Sequence, residues 1–339
     1  MHHAHRFPAT YRLAALPIAL ALLLGGAVLQ GCETAVADAG PVSLQTREAL
    51  DVLPTDAAMV GMMDLKAARE SGVVEALTGD ALGSFGAQGG PELDAFVRVT
   101  GFDPGRDIDR VYVAGTEADG PSGLVVYARF DRDRIERYIA ENSPEELTRS
   151  EIEGVPVYVG RDGGRSFALA LVNDGMAVAG TEEAVTAMLG RIRTGAPGLS
   201  ADAELSALIA KAQHRDGAWF AVRGMDAAGS DATGDPMGQA ARLTDDMVVS
   251  FGFGRDGIDI DAFAVPRAGT DAGDMADLVR GAVAGMRATA KAEPALMRAL
   301  DAVEVRETGG GVRVEGFLAD EMLAEMRRDG PRRPAGTDA

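Results

Sequence analysis

The chain has 339 residues and a formal net charge of −19, with 46% hydrophobic and 5% aromatic residues. This length suffices for one large or two ordinary domains with a hydrophobic core. The negative charge argues against nucleic acid and anionic lipid headgroups as main partners, because both carry charge of the same sign. The scarcity of aromatic side chains argues against a carbohydrate-stacking surface, which needs aromatic platforms.

The amino-terminal segment, residues 1–31, has the pattern of a secretory signal peptide. It begins with a basic stretch that carries Arg6 and Arg12, and residues 13–29 then carry no charge. A membrane-spanning helix is the alternative. The apolar run is shorter than the about 20 residues that a span needs, and it contains Pro17. We therefore predict export and removal of this segment.

The single cysteine of the chain lies directly after this segment. Leu29-Gln30-Gly31-Cys32 resembles the lipobox of bacterial lipoproteins, although Gln30 is less usual there than Ala or Ser. The resemblance implies that Cys32 receives a diacylglycerol and becomes the acylated amino terminus after cleavage. Several acyl chains on one residue give lasting attachment, whereas one chain anchors only marginally. Because Glu33 and not Asp follows, the resemblance favours the outer membrane, facing the periplasm, with surface display left open.

The folded part is predicted to begin after a tether. Residues 32–50 lack a clear apolar period and are assigned to that tether. Two related α+β repeats, residues 51–196 and 197–328, are each predicted to hold an antiparallel sheet with helices packed on one face. The repeats could form one long sheet or two facing sheets. Residues 329–339 are predicted to be a disordered tail.

The first repeat is predicted from apolar alternation and turn residues. Either Asp131 or Asp133 is expected to cap one helix, and Thr181 another. The predicted strands are 58–63, 108–115, 124–130, 154–160, 166–172 and 176–180; the predicted helices are 65–79, 91–102, 133–140 and 182–189, with a glycine-rich loop at 79–90.

The second repeat is predicted from similar signals. Residues 217–226 resemble residues 57–64, and residues 247–265 are predicted to form a hairpin that turns at Asp256-Gly257. A helical stretch, 274–300, precedes the last unit. The strand-turn-strand-helix pattern from Ile108 to Ile139 recurs from Leu300 to Met326, and a shorter echo begins at Met176.

Signatures of catalysis are missing from the part that would remain after cleavage. His214 is its one histidine, and we predict that it caps a helix end; a general base is the alternative. No Gly-x-Ser-x-Gly elbow and no second cysteine is present. We therefore predict no enzyme activity, no catalytic residues, no metal site and no cofactor.

Carboxylates leave two alternatives open. Acidic segments at 103–110, 230–235 and 257–262 could bind calcium, although none has EF-hand spacing. Asp259 and Asp261 share one face of a predicted strand, and we expect that face to meet solvent. A carboxylate pair could also hydrolyse sugars, provided that the fold places two acids at the required separation.

The leading prediction is a non-enzymatic, membrane-anchored lipoprotein with a binding or structural role in the cell envelope. Its partners would be the membrane, through Cys32, and a protein. The alternative is a carrier of lipid or another apolar ligand, because methionine lines adaptable apolar pockets. The methionines concerned are Met59, Met62, Met63, Met176, Met188 and Met247. The opening Leu53-Pro54-x-Asp56-Ala57 resembles exported bacterial families of unknown function, which imply no activity.

Overall fold

The computed structural model describes residues 42–71, 90–116, 120–142, 147–162, 165–224, 236–292 and 294–328. Several sequence predictions fall outside these residues: the signal peptide, the lipobox with Cys32, most of the glycine-rich loop, the acidic segment 230–235 and the tail.

The described residues form an α+β fold built on one continuous antiparallel sheet. Its twelve strands are β1 (Met59–Asp64), β2 (Ile108–Thr116), β3 (Gly120–Ala128), β4 (Thr148–Ile152), β5 (Val155–Asp162), β6 (Arg165–Asn173), β7 (Met176–Gly180), β8 (Ala218–Val222), β9 (Thr244–Phe253), β10 (Gly257–Pro266), β11 (Glu304–Thr308) and β12 (Gly311–Ala319). The order across the sheet is β11-β12-β10-β9-β8-β1-β2-β3-β7-β6-β5-β4. The predicted α+β class with antiparallel pairing is confirmed, and the strands form one sheet.

Eleven α-helices lie in the described part of the chain. They are α1 (Leu44–Val52), α2 (Leu65–Ser71), α3 (Gly90–Thr100), α4 (Pro104–Asp107), α5 (Arg132–Asn142), α6 (Glu182–Thr194), α7 (Ala203–Ile209), α8 (Pro236–Leu243), α9 (Ala272–Thr289), α10 (Pro294–Asp301) and α11 (Asp320–Arg328). Two predicted caps are present: Thr181 Oγ1 accepts from the main-chain N–H of Ala184 at 3.1 Å, and Asp131 Oδ1 accepts from that of Arg134 at 3.0 Å.

The two halves of the sheet meet at the β1–β8 pair, where Met62 lies opposite Trp219. Outward from this pair the order is β2, β3, β7 on one side and β9, β10, β12 on the other. Counted along the chain, β7 is the last strand of the first half and pairs with β3, the third strand of that half. In the same way, β12 is the last strand of the second half and pairs with β10, its third strand. Division into two repeats remains a prediction, and this shared order agrees with it.

The predicted match between Ile108 and Leu300 is wrong at its start. Ile108 begins β2, whereas Leu300 lies in α10. In addition, β2 lies next to the central strand, whereas β11 is at the sheet edge. By position in the sheet, β12 corresponds to β7. The short pattern that begins at Met176, in β7, is therefore the counterpart of the strand and helix that end the second half.

One face of the sheet carries the larger core, covered by α1, α6 and α7. Tyr112, Val125 and Trp219 from the strands pack there with Leu50 of α1 and Met188 of α6. Each of these side chains is at most 1% exposed. Burial of such side chains contributes about 1.5–3 kcal/mol each.

The opposite face is also covered by helices, so the prediction of helices on one face is wrong. Val126 points away from its neighbour Val125 and packs with Phe96 of α3 and Ile135 of α5. In the other half, Ile258 and Ile260 pack with residues of α10 and α11. A strand covered on both faces reads as a continuous apolar run, as Leu-Val-Val-Tyr-Ala does in β3.

The predicted tether is too long, because α1 occupies residues 44–52. Thr46, Ala49 and Leu50 lie on one face of this helix and are buried, with Ala49 and Leu50 in the larger core. The spacing i, i+3, i+4 is that of a helix face, but the stretch is polar enough for the signal to be weak. The fold therefore begins before residue 51.

Candidate functional site

The predicted acylation site lies outside the described residues, and His214 does not cap a helix. His214 is in the turn before β8, past Ile209, the last residue of α7. Its main-chain N–H donates to Ser250 Oγ at 3.3 Å. The helix-cap prediction is wrong because the chain leaves the helix before it reaches this residue.

Asp261 is buried, contrary to the expectation that it faces solvent. Its side chain is 1% exposed, and its Oδ2 accepts from Arg313 Nη1 at 2.6 Å; the Arg313 side chain is 5% exposed. Ser250 Oγ lies 3.4 Å from Asp261 Oδ1. Burial raises the pKa of the Asp261 carboxyl, and the charge of Arg313 opposes that shift.

This buried cluster joins a serine, a histidine main chain and an aspartate, but it is not arranged for catalysis. Ser250 is fully buried, so no substrate reaches its hydroxyl. Arg313 donates through Nη2 to the main-chain oxygen of Lys211 at 2.9 Å, and Gln213 donates its main-chain N–H to Asp261 Oδ1 at 3.4 Å. The cluster therefore fastens the turn after α7 to β10 and β12.

A more accessible site lies at the end of the sheet where β1 and β3 finish and β2 begins. It is a pocket of about 400 Å³ that four basic side chains line together with Glu70 and Asp109. We call it the cationic pocket; its basic residues are Lys66, Arg69, Arg106 and Arg129.

Three of the four cations of the cationic pocket are more exposed than the two aspartates near them. The side chains of Lys66, Arg106 and Arg129 are 61–66% exposed, whereas Asp107 is 10% and Asp109 33% exposed. The hydrogen bond from Arg106 holds the pKa of Asp107 below its usual range, so this carboxyl stays ionised.

One ion pair at the cationic pocket is a close hydrogen bond and the others are longer. Arg106 donates to Asp107 twice, from Nη2 to Oδ2 at 2.9 Å and from Nε to Oδ1 at 3.0 Å. Arg129 lies 3.8 Å from Asp107 and 3.7 Å from Asp109, and Arg69 lies 3.7 Å from Asp109. Those longer distances exceed the range of an N–H···O hydrogen bond, so the carboxylates leave donor capacity for a further anion.

Main-chain carbonyls near α4 orient two of these guanidinium groups. Arg69 Nη1 donates to the oxygen of Gly105 at 3.3 Å, and Arg129 Nη2 donates to that of Arg106 at 3.2 Å. A planar guanidinium fixed at one side can still offer its other N–H groups to carboxylate or phosphate. The arrangement can therefore hold a small anion.

The sequence analysis missed this site because it treated residues 103–110 as a possible calcium site and considered their acids, not their arginines. Asp103 caps α4 by accepting from Gly105 N–H at 3.0 Å, and Asp107 pairs with Arg106. Among the described residues, no group of three or more His, Cys, Asp or Glu side chains could hold a metal ion. Arg106 from the same segment contributes a cation instead.

A second pocket, of about 640 Å³, is wide open to solvent. It is lined by Ser166, Thr181, Glu182, Glu183, Thr186 and Ala187, at the start of α6. The hydroxyl of Thr181 is already used by the helix cap, and the two acids lie in the first turn of the helix.

None of the helices in the described ranges is long and apolar enough to cross a membrane.

Comparisons with known proteins give likenesses in fold alone. No protein-family model matches the chain. No curated protein matches it either. Three crystal forms of TP0453 are similar in structure. Form III has 8% identity and a TM-score of 0.48, covering 81% of this chain and 96% of that chain. Form I has 9% identity and a TM-score of 0.46, with coverage of 85% and 98%. Form IV has 10% identity and a TM-score of 0.47, with coverage of 82% and 96%.

Proposed function

We propose that the protein is a non-enzymatic lipoprotein of the cell envelope, attached through Cys32 and acting by binding or as a structural element. The attachment rests on the motif Leu29-Gln30-Gly31-Cys32, and the observation that favours binding or structure over transport is the filled core. Met62, Met188 and Trp219 are each at most 1% exposed and pack in one cluster. Interiors packed in this way leave room for few voids larger than a water molecule.

The carrier alternative receives less support from the methionines. Met62 and Met188 belong to the larger core, whereas Met63 and Met247 belong to the opposite face of the sheet, as their register with Val111 and Ala264 indicates. The set therefore does not line one shared space. Both pockets described above are open to solvent and include charged side chains, unlike the enclosed apolar site that a lipid carrier needs.

A carboxylate-based hydrolase also receives little support. The acid whose pKa burial raises, Asp261, is almost completely enclosed and paired with Arg313. A general acid must reach the bond that it protonates. At the exposed pocket, hydrogen bonding instead lowers the pKa of Asp107, which favours a permanent charge over proton transfer.

The attachment is tested by the mass of the mature protein. Expressed in its native host or in a bacterium that processes lipoproteins, the wild type should begin at Cys32, carry a diacylglycerol and an acyl group, and fractionate with outer membranes. Cys32→Ser should keep its signal peptide and lose the lipid mass, whereas Glu33→Gln should be processed normally. Membrane fractionation and mass unchanged in Cys32→Ser would contradict the proposal.

Native mass spectrometry separates binding or scaffolding from apolar transport. Residues 33–328, purified without the anchor from a cell extract, should give a clean apo mass. An adduct of lipid mass that is lost on denaturation would replace the present proposal by the carrier alternative.

A further inference from the structure

The cationic pocket lies at the end of the fold where the chain from Cys32 enters. Gln45, in the first turn of α1, accepts through Oε1 from Arg110 Nη1 at 2.7 Å. Arg110 Nε donates to Asp64 Oδ2 at 2.6 Å, and Asp64 Oδ1 accepts from Ala67 N–H at 2.7 Å. Two side chains therefore connect the start of α1 with α2, the helix that carries Lys66 and Arg69.

The other end of α1 lies at the opposite end of the same strands. Pro54, two residues beyond α1, contacts Gly123 near the beginning of β3. Arg129, in contrast, follows the end of β3. The helix thus runs along the strands, and its amino-terminal end marks the end of the sheet that holds the cationic pocket.

The chain between Cys32 and this end is short. Twelve chain steps, with eleven residues between, separate Cys32 from Leu44, the first residue of α1. At about 3.3–3.6 Å per residue they span at most roughly 40 Å when fully extended. An anchor on Cys32 therefore keeps this end of the domain within reach of the lipid headgroups. Leu44 itself is 71% exposed, which leaves an apolar side chain at the entry point.

Charge at this end differs from that of the whole chain. With a net charge of −19, the body of the protein is repelled by an anionic surface. At the cationic pocket, three of four cations are 61–66% exposed, whereas Asp107 is 10%, Asp109 33% and Glu70 69% exposed. The four cations exceed Asp107, Asp109 and Glu70 by one charge, so an anionic membrane would attract the pocket and repel the acidic body.

We propose that the cationic pocket docks the domain on its own membrane by binding the phosphate groups of anionic lipid headgroups. The proposal rests on the proposed lipid anchor at Cys32. Arg129 offers phosphate oxygens the N–H groups that its bond to the Arg106 carbonyl does not use, and Arg106 offers Nη1, since its Nε and Nη2 hold Asp107. Lys66 supplies a point charge at the rim. The acyl chains give the attachment, and the pocket fixes which end of the sheet faces the bilayer.

Energy transfer from Trp219 to dansyl-labelled headgroups tests the docking, because Trp219 is the one tryptophan of the chain. The lipidated protein, its anchor checked by mass, is reconstituted in vesicles of phosphatidylglycerol and phosphatidylcholine or of phosphatidylcholine alone. Transfer should be greater in the anionic vesicles. The triple variant Lys66→Gln, Arg106→Gln, Arg129→Gln should lower it to the phosphatidylcholine value, as should high salt, because exposed charges are screened.

The matched control removes the same charge elsewhere. Arg223→Gln, Arg242→Gln, Arg267→Gln replaces three cations at the opposite end of the sheet, after β8, before β9 and after β10, and should keep the wild-type transfer. The Trp219 emission maximum and thermal unfolding check that both triple variants fold. Equal transfer in the two triple variants would overturn the proposal, while loss of the lipid mass would count against the anchor alone.

Inorganic phosphate distinguishes a headgroup from a free anion. In one outcome, phosphate binds the wild type in solution and not the cationic-pocket variant, while energy transfer is the same in both. That outcome would overturn membrane docking and assign the pocket to a soluble phosphate. Docking predicts instead that phosphate competes with the anionic vesicles and reduces transfer in the wild type.

Discussion

Arg313 and Asp261 form a buried ion pair between neighbouring strands, with Arg313 Nη1 2.6 Å from Asp261 Oδ2. Arg313 lies opposite Phe263 in the β10–β12 register, so the pair is diagonal across the two strands. The guanidinium is also 5.4 Å from the Phe263 ring centre. The Asp261 carboxylate, the Phe263 ring and the main-chain carbonyl of Lys211 thus surround the Arg313 guanidinium, which has almost no contact with solvent.

Asp261→Asn should destabilise the fold strongly. The substitution leaves the Arg313 charge buried without a counter-ion, which typically costs about 3–5 kcal/mol. Urea unfolding followed by Trp219 fluorescence measures the change. Asp259→Asn, on the same strand face but less buried, should stay within about 0.5 kcal/mol of wild type.

Replacing both partners should cost less than replacing one. In Asp261→Leu with Arg313→Met, no charge is left buried, so the double variant should be more stable than either single variant. Additive losses in the double-mutant cycle would mean that the two side chains stabilise the fold independently and not as a pair.

Gly61 lies directly opposite Phe220 in the central β1–β8 pair. A Cβ on Gly61 would overlap the Phe220 ring, which lies against the bare backbone. Gly61→Ala should therefore destabilise the protein by about 1–3 kcal/mol, as overpacking does. In a Phe220→Ala background the same substitution should cost little. Gly190→Ala is the control: Gly190 is in α6 with open space around it, and alanine there should be neutral or stabilising.

The phenol of Tyr127 should make stability fall in alkaline solution. Burial raises its pKa from 10.0 to about 12. In the unfolded chain this tyrosine ionises near 10.0, whereas in the folded protein it keeps its proton until about 12. The folded state thus holds more protons across that window, and the free energy of unfolding decreases as pH rises through it.

Titration of tyrosinate absorbance and urea unfolding at several pH values test this sign. Tyr127→Phe should flatten the decrease, and Tyr112, whose pKa burial also raises, should account for part of the remainder. A free energy of unfolding that rises between pH 10 and 12 would contradict the burial argument.

Much of the sheet could be predicted from local sequence patterns. Alternation identified β2, and Asp256-Gly257 identified the turn between β9 and β10. The two-sided helix cover could not be inferred, because assigning each apolar residue to a face requires the strand order. Leu300 shows the same limit: the residue pattern that begins a strand at Ile108 resembles the one at Leu300, which lies near the end of α10.

The candidate site was harder to predict than the strands. Arg69 lies in α2, Arg106 in α4 and Arg129 just after β3, and the pairing of β1, β2 and β3 brings them together. In the sequence each is one charge among many. Asp261 was misjudged for a related reason: its partner Arg313 is 52 residues away, so alternation indicated the face but not the neighbour.

The amino-terminal helix α1 should be required for the stability of the whole fold. Leu50 is 1% exposed and belongs to the larger core. Leu50→Ala should cost about 2–5 kcal/mol, because it leaves a cavity beneath α1. Leu44→Ala is the matched control: Leu44 is in the same helix but 71% exposed, so it should change stability by about 0.5 kcal/mol or less.

The same argument predicts where a stable fragment begins. A chain that starts at residue 42 should unfold cooperatively in urea with the free energy of the mature protein, since it keeps all of α1. A chain that starts at Leu53 removes Ala49 and Leu50 from the core and exposes the surface they cover, so its unfolding midpoint should fall and its apolar surface should bind a hydrophobic dye. If the shorter chain were equally stable, α1 would be part of the tether after all, and the membrane-facing end of the domain would have to be assigned again.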